Sequence, residues 1–272
     1  MSDNKLQVSE EHLQYLKKVK SRKRNITIVR LLIAVSFFVF WELAARLGLI
    51  DPFITSQPSR IIKTIANLYK EGQLLNHIGT TCLETIISFL AATTLGIAIA
   101  IALWWSEFLA KVLDPYLVIL GSLPKIAFGP IFIVWIGAGT SSIIVMAIVI
   151  SIIVAILDVH NGFLHVDQEK IRLVETFGAS KYQVLTKVVL PSAFPSMVNA
   201  LKVNVGLSWV GVIMGEFLVS KAGLGYLIVY GGQVFQLDLV MTSVLILAVA
   251  AALMYQGVVY FEKFIIKRNM HV

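Results

Sequence analysis

An all-α integral membrane protein with six transmembrane helices is the fold class this sequence predicts, and three observations carry it. Of 272 residues, 57% are hydrophobic and only 14% charged, outside the balance of a soluble domain. Six apolar stretches each approach the ~20 residues that cross a ~30 Å hydrocarbon core. The Lys and Arg residues are segregated between those stretches, with seven of the 23 in the first 26 positions. Helices are the required form, because lipid offers no partner to the unpaired backbone groups of an open sheet.

The elements follow in order. Residues 1–26 form a basic leader in which Val8, Leu13, Leu16 and Val19 recur at roughly helical spacing among lysines. That pattern suits a helix lying on the inner membrane surface, and equally a solvated basic tail. The first apolar run, 27–47, is already of span length, so it reads as a retained span and not a cleaved signal. Pro58 opens a short amphipathic helix over 58–69, expected on the outer face. Further spans are predicted at 78–104, 112–136, 141–157, 195–219 and 239–261, with a tail at 262–272. The six-span body is thus 27–261, and the longest inner loop is 158–194.

Orientation follows from the basic residues, which collect on the cytoplasmic side of membrane proteins. With the N-terminus inside, the inner segments hold fifteen Lys and Arg and the outer ones four, Arg60, Lys63, Lys70 and Lys221. Both termini are therefore expected in the cytoplasm. The net charge of +7 reads as topology and not as a nucleic-acid surface, because the basic residues flank apolar runs. Membrane lipid is the partner this composition implies.

Cys82 is the single cysteine, which allows neither an intrachain disulfide nor a cysteine metal site. His12, His77, His160, His165 and His271 include no i,i+4 pair, so no metal and no cofactor is expected. Surface or interfacial positions are predicted for them.

The inner loop is the one soluble-looking stretch inside the body. Residues 168–177 carry Ile171, Leu173 and Val174 beside charges, Gly178 breaks the helix, 181–190 resume it and Pro191 is expected to stop it. Apolar side chains on a solvated loop need a cover, which suggests a docking partner.

Arg172-Leu173-Val174-Glu175-Thr176-Phe177-Gly178-Ala179, followed by Val188-Val189-Leu190-Pro191, resembles the EAA loop of binding-protein-dependent ABC importer permeases. That pattern runs E-A-A, three residues, G, nine residues, I-x-L-P. Gly178, Leu190 and Pro191 fall at its spacing and Val188 replaces the Ile. Arg172, Leu173 and Val174 stand where the family has Glu-Ala-Ala, and Glu175, one turn on, could substitute for the missing acid. Stretches 122–130, 135–139, 215–217 and 223–226 are similar to the nitrate, sulfonate, taurine and bicarbonate branch.

The resemblance implies a type I ABC importer permease architecture. Its loop would be a coupling helix seated on an ABC ATP-binding subunit, two copies of which would work with a second permease copy or homologue. An extracytoplasmic solute-binding protein would deliver a small solute: a sulfonate, nitrate, bicarbonate or vitamin precursor. No G-x-x-x-x-G-K-[ST] pattern occurs in the chain, so ATP hydrolysis would belong to another polypeptide.

Within the spans, Lys125 falls near the middle of the third, between Pro124 and Pro130. An ionisable group there needs a partner or a water-filled path. It is read either as bonding freed carbonyls or pairing with Glu216, or as guiding an anionic solute along a translocation path with Glu216. Glu84 and Glu216 are read as interfacial or packing carboxylates. Gly211 and Gly215 place small residues one turn apart for a close helix neighbour. Trp104 and Trp105 suit an interfacial anchor. An ion-gradient-driven secondary transporter is the alternative, and would more often show mid-membrane acids in repeated halves. A membrane enzyme would need converging His, Asp or Glu at one face.

Overall fold

The computed structural model describes residues 10–269, with side chains described over 14–265. Val8 and His271 lie outside the described residues, as do the side chains of His12 and Leu13. The chain divides into two units at Lys63/Thr64, a boundary inside the helix Pro58–Lys70.

In the first unit, α1 (Glu10–Arg46) runs without a break from the described part of the leader through the first apolar stretch. α2 (Pro52–Thr55) opens with Pro52, where a missing N–H costs nothing, and Asp51 caps it by accepting from the Phe53 amide at 2.8 Å. α3 (Pro58–Lys70) is the short helix expected at 58–69. The Glu42 carboxylate accepts from Arg46 Nε at 2.7 Å and from the Ser59 amide at 3.0 Å, fixing the start of α3 against the end of α1.

The second unit contains α4 (Leu74–Trp105), α5 (Glu107–Ser122), a 3₁₀ turn (Lys125–Phe128), α6 (Gly129–Ile136) and α7 (Thr140–Leu164). α8 (Gln168–Thr176) and α9 (Lys181–Val184) follow, then a π turn (Leu185–Val189), α10 (Leu190–Val219), α11 (Leu224–Gln233) and α12 (Leu237–Asn269). Its centre is α7, which packs chiefly on α4 and α10. Small residues permit that approach: a Cβ added at Gly211 would lie 2.5 Å from Ala147 Cα, and one at Gly215 2.9 Å from Ile143 Cγ2. The Gly211/Gly215 pair thus meets α7 as the spacing predicts.

Among the described residues five helices are long and apolar enough to cross a membrane, or six if one sharply bent pair counts as a single crossing. α5 and the Lys125–Ile136 segment meet at 87°, where the sequence reading has one span over 112–136. The break falls at Leu123-Pro124, because Pro124 offers no N–H and biases Leu123 toward the extended conformation it adopts, ψ 140°.

A second difference lies at the far end of the inner loop. Pro191 does not stop the helix; Lys181–Val219 runs as one apolar helical stretch. The Leu190 amide bonds the Leu185 carbonyl, five residues back, in the wide register of a π turn. Pro191 follows, with no amide to extend that register, and takes the first turn of α10, where none is needed. At the near end, α7 continues to Leu164, so residues 158–164 are helix where the reading put loop.

Candidate functional site

The loop between α7 and α10 is built from two helix caps placed back to back. Asp167 starts α8 by accepting from the Glu169 amide at 2.9 Å. α8 ends in a Schellman motif: the Gly178 amide bonds the Glu175 carbonyl at 2.8 Å and the Ala179 amide bonds the Val174 carbonyl at 3.1 Å. Gly178 takes φ +84°, the left-handed conformation that motif requires, with open space around its Cα. One residue after Ala179, Ser180 opens α9 with a capping box. Its hydroxyl accepts from the Gln183 amide at 3.4 Å, and the Gln183 side chain accepts from the Ser180 amide at 2.8 Å. Gly178 is therefore the one pliant position between two satisfied helix ends.

The caps decide which side chains face outward. Ile171, Val174 and Ala179 turn inward, onto a buried cluster formed by Phe163, Val166, Val184, Leu185 and Val189. The sequence reading has Ile171, Leu173 and Val174 all in want of an external cover; the structure packs Ile171 and Val174 against the chain's own cluster and leaves both half-buried. Leu173 remains outside, and with it Phe177, one turn on, 82% exposed, and Tyr182. Phe177 forms one edge of a shallow hollow completed by Val174, Ala179, Gln183, Lys187 and Val188. Arg172 and Glu175 are exposed on α8, and Leu190 and Pro191 lie beyond the hollow at the start of α10. Sequence reasoning does not single out Phe177, because its outward direction is set by the turn at Gly178 and the packing of Ile171 and Val174.

Lys125 sits at the break of the third crossing, half-buried. Its ammonium donates to the Gly121 carbonyl at 3.1 Å, the group its own backbone amide would have bonded had the helix continued. Among the described residues no ion pair joins Lys125 to Glu216.

Glu216, 1% exposed, caps α11 from a distance. It accepts from the Thr81 hydroxyl at 2.6 Å and from the Gly225 amide at 2.5 Å. Thr81 in turn accepts from the Leu224 amide at 2.7 Å, and His77 Nδ1 accepts from the Gly223 amide at 3.0 Å. Three successive amides at the start of α11 are thus satisfied by side chains from α4 and α10. Gly223 has φ +114°, and a Cβ on Gly225 would lie 2.7 Å from Glu216 Oε2, so glycine is required for this approach. His77, predicted at a surface or interfacial position, is buried. Glu84 is a buried carboxylate whose oxygens have no hydrogen-bond partner among the described residues.

With this architecture established, comparison with known proteins supplies its family. The model of the binding-protein-dependent transport system inner membrane component matches residues 92–269. The chain is 27% identical to the Bacillus subtilis aliphatic sulfonates transport permease protein SsuC, over 94% of this chain and 93% of that one. It is 28% identical to the taurine transport system permease protein TauC of Escherichia coli, over 86% of each. Among solved structures, a chain of the inward-facing MetNI methionine ABC transporter superposes with a TM-score of 0.53 at 22% identity, over 67% of this chain and 94% of that one, and so shares its fold. The chain belongs to the inner membrane components of binding-protein-dependent transport systems and is a multi-pass permease subunit of an ABC importer.

Proposed function

We propose that this permease moves a small anionic solute, a sulfonate first among the candidates, by alternating access driven from the cytoplasmic loop. The names of the SsuC and TauC relatives support the solute class. A pair of permeases, this chain with a second copy or homologue, would frame the path. Two ABC ATP-binding subunits would dock on the loops, and an extracytoplasmic solute-binding protein would deliver the solute. The fifteen-to-four distribution of Lys and Arg supports an inner-membrane orientation with both termini cytoplasmic.

The observation that carries the coupling role is the double cap around Gly178, which pushes Leu173 and Phe177 outward while Ile171 and Val174 anchor the loop to its own chain. An exposed aromatic flanked by Leu and Tyr fits an apolar pocket on a partner. Arg172 and Glu175 would flank it as the charged rim, with Ala179, Val188, Leu190 and Pro191 as scaffold. Lys125 and Glu216 line the proposed path only indirectly, Lys125 by holding the broken crossing and Glu216 by holding the start of α11.

The test is Phe177→Ala. Membranes holding the variant should contain normal amounts of permease, while the co-expressed ATP-binding subunit no longer co-purifies with it. Undiminished co-purification, with uptake also intact, would refute the docking role.

A further inference from the structure

We propose that Lys181 is a positioning residue that transmits movement of the loop to the joint between α4 and α5. The inference rests on the coupling role proposed for the loop and adds the route by which a push on it reaches the broken crossing.

The geometry is specific. Lys181 is the first residue of α9, directly after the capping serine. Its ammonium donates to the Trp105 carbonyl at 2.6 Å and lies 5.9 Å and 5.7 Å from the centres of the Trp104 and Trp105 rings. Trp105 is the last residue of α4. Ser106 alone separates it from α5 and caps that helix by accepting from the Leu109 amide at 3.2 Å. Lys181 therefore grips a one-residue joint, from a position 76 residues away in sequence.

Chemistry suits the grip to repeated making and breaking. The last carbonyls of a helix lack intrahelical partners and carry the negative end of its dipole, so a cation there is favoured. Two indole faces add cation–π attraction. The contact is exposed to solvent, so releasing it strands no buried charge. Glu107, the first residue of α5, is paired to Lys111 at 2.7 Å.

The position matters because of what α5 leads to. α5 ends at Ser122, immediately before the 87° break where Lys125 is seated. The apolar packing of the loop engages the ends of α4, α7 and α10; Lys181 adds a polar bond to the carbonyl at the joint itself. A push on the loop would then swing α5, and with it the broken crossing.

The experiment uses the complete transporter in vesicles, in a Cys82→Ser, Ser122→Cys background that reports the end of α5. The readout is the change in thiol labelling of position 122 when Mg²⁺ and ATP are added. Lys181→Met should keep the ATP-binding subunit co-purifying at the level without the Lys181 change. The ATP-dependent change in labelling should shrink by about tenfold, within the usual range of coupling between sites. Lys181→Arg, which keeps the cation over the indoles and a donor for the carbonyl, should restore it. A full ATP-dependent change in Lys181→Met overturns the proposal, as does a failure of Lys181→Arg to restore it. Loss of the ATP-binding subunit from Lys181→Met also overturns it, since Lys181 would then be a docking residue. The coupling role of the loop fails separately, through a Phe177→Ala permease that retains both its ATP-binding subunit and its uptake.

Discussion

The Thr81 hydroxyl donates to Glu216 Oε1 across 2.6 Å, joining α4 to α10 over 135 residues of sequence. The same hydroxyl accepts from the Leu224 amide, so one threonine ties three helices at a single buried point. Glu216 completes the tie by accepting from Gly225.

Removing the carboxylate should therefore cost more than removing an average buried side chain. Glu216→Ala takes from the Gly225 amide its side-chain acceptor and leaves the Thr81 hydroxyl only the longer bond to the His77 carbonyl at 3.2 Å, at a cost of about 1–3 kcal/mol. Glu216→Gln, which keeps one carbonyl acceptor, should lose less. Thermal unfolding of the purified permease in detergent measures both, and equal midpoints for wild type and Glu216→Ala would contradict this cap.

Lys125 should matter to transport more than to assembly. Lys125→Met deprives the Gly121 carbonyl of its donor at the break, a loss of about 1 kcal/mol where water can replace it and more where it cannot. The expected outcome is normal insertion with slowed uptake of taurine or an alkanesulfonate, because the angle between α5 and α6 is less well held. A permease that no longer accumulates in the membrane would mean that the lysine serves folding alone.

What was legible in the sequence divides along physical lines. Span existence was readable because hydrocarbon thickness imposes a length on every crossing independently of tertiary contacts. The break near Lys125 was half-readable: Pro124 and Pro130 announce irregular backbone, but its angle depends on what α6 packs against. Pro191 misleads, because a proline is tolerated in the first turn of a helix, where its missing amide is not needed, and the π turn at Leu185–Val189 that precedes it leaves no periodic trace. The partners of Glu216 were unreadable, since Thr81 and Gly225 approach it only after α4, α10 and α11 assemble. Gly178 was readable as a break, yet its consequence, that Ile171 and Val174 face inward while Phe177 faces out, depends on the buried cluster around Phe163 and Val184.

The charge asymmetry yields a topology that labelling can check residue by residue. In a Cys82→Ser background, single cysteines at positions 181 and 267 should react only after the cell is permeabilised. A cysteine at 221 should react with an impermeant maleimide in intact cells. External labelling of position 181 would invert the arrangement and remove the loop from any cytoplasmic ATP-binding subunit.

Gly178→Val tests the loop through its backbone. Open space surrounds the Gly178 Cα, so the substitution meets no clash and acts only through φ +84°. A β-branched residue in the left-handed region costs on the order of 1–2 kcal/mol, enough to shift the Schellman turn without unfolding spans that lie elsewhere. Loss of the turn would release the Ala179 amide from the Val174 carbonyl and rotate α8 relative to the capping box at Ser180. Phe177 and Leu173 would then no longer present one outward face. The permease should insert at wild-type levels, while solute-stimulated ATP hydrolysis and uptake fall together in reconstituted vesicles. Gly178→Asn, which tolerates the left-handed region better than valine, should retain most of both activities. That graded order separates backbone strain from a loss of side-chain space, because Asn and Val are similar in bulk. Equal, normal transport by both variants would reduce this loop to a connector.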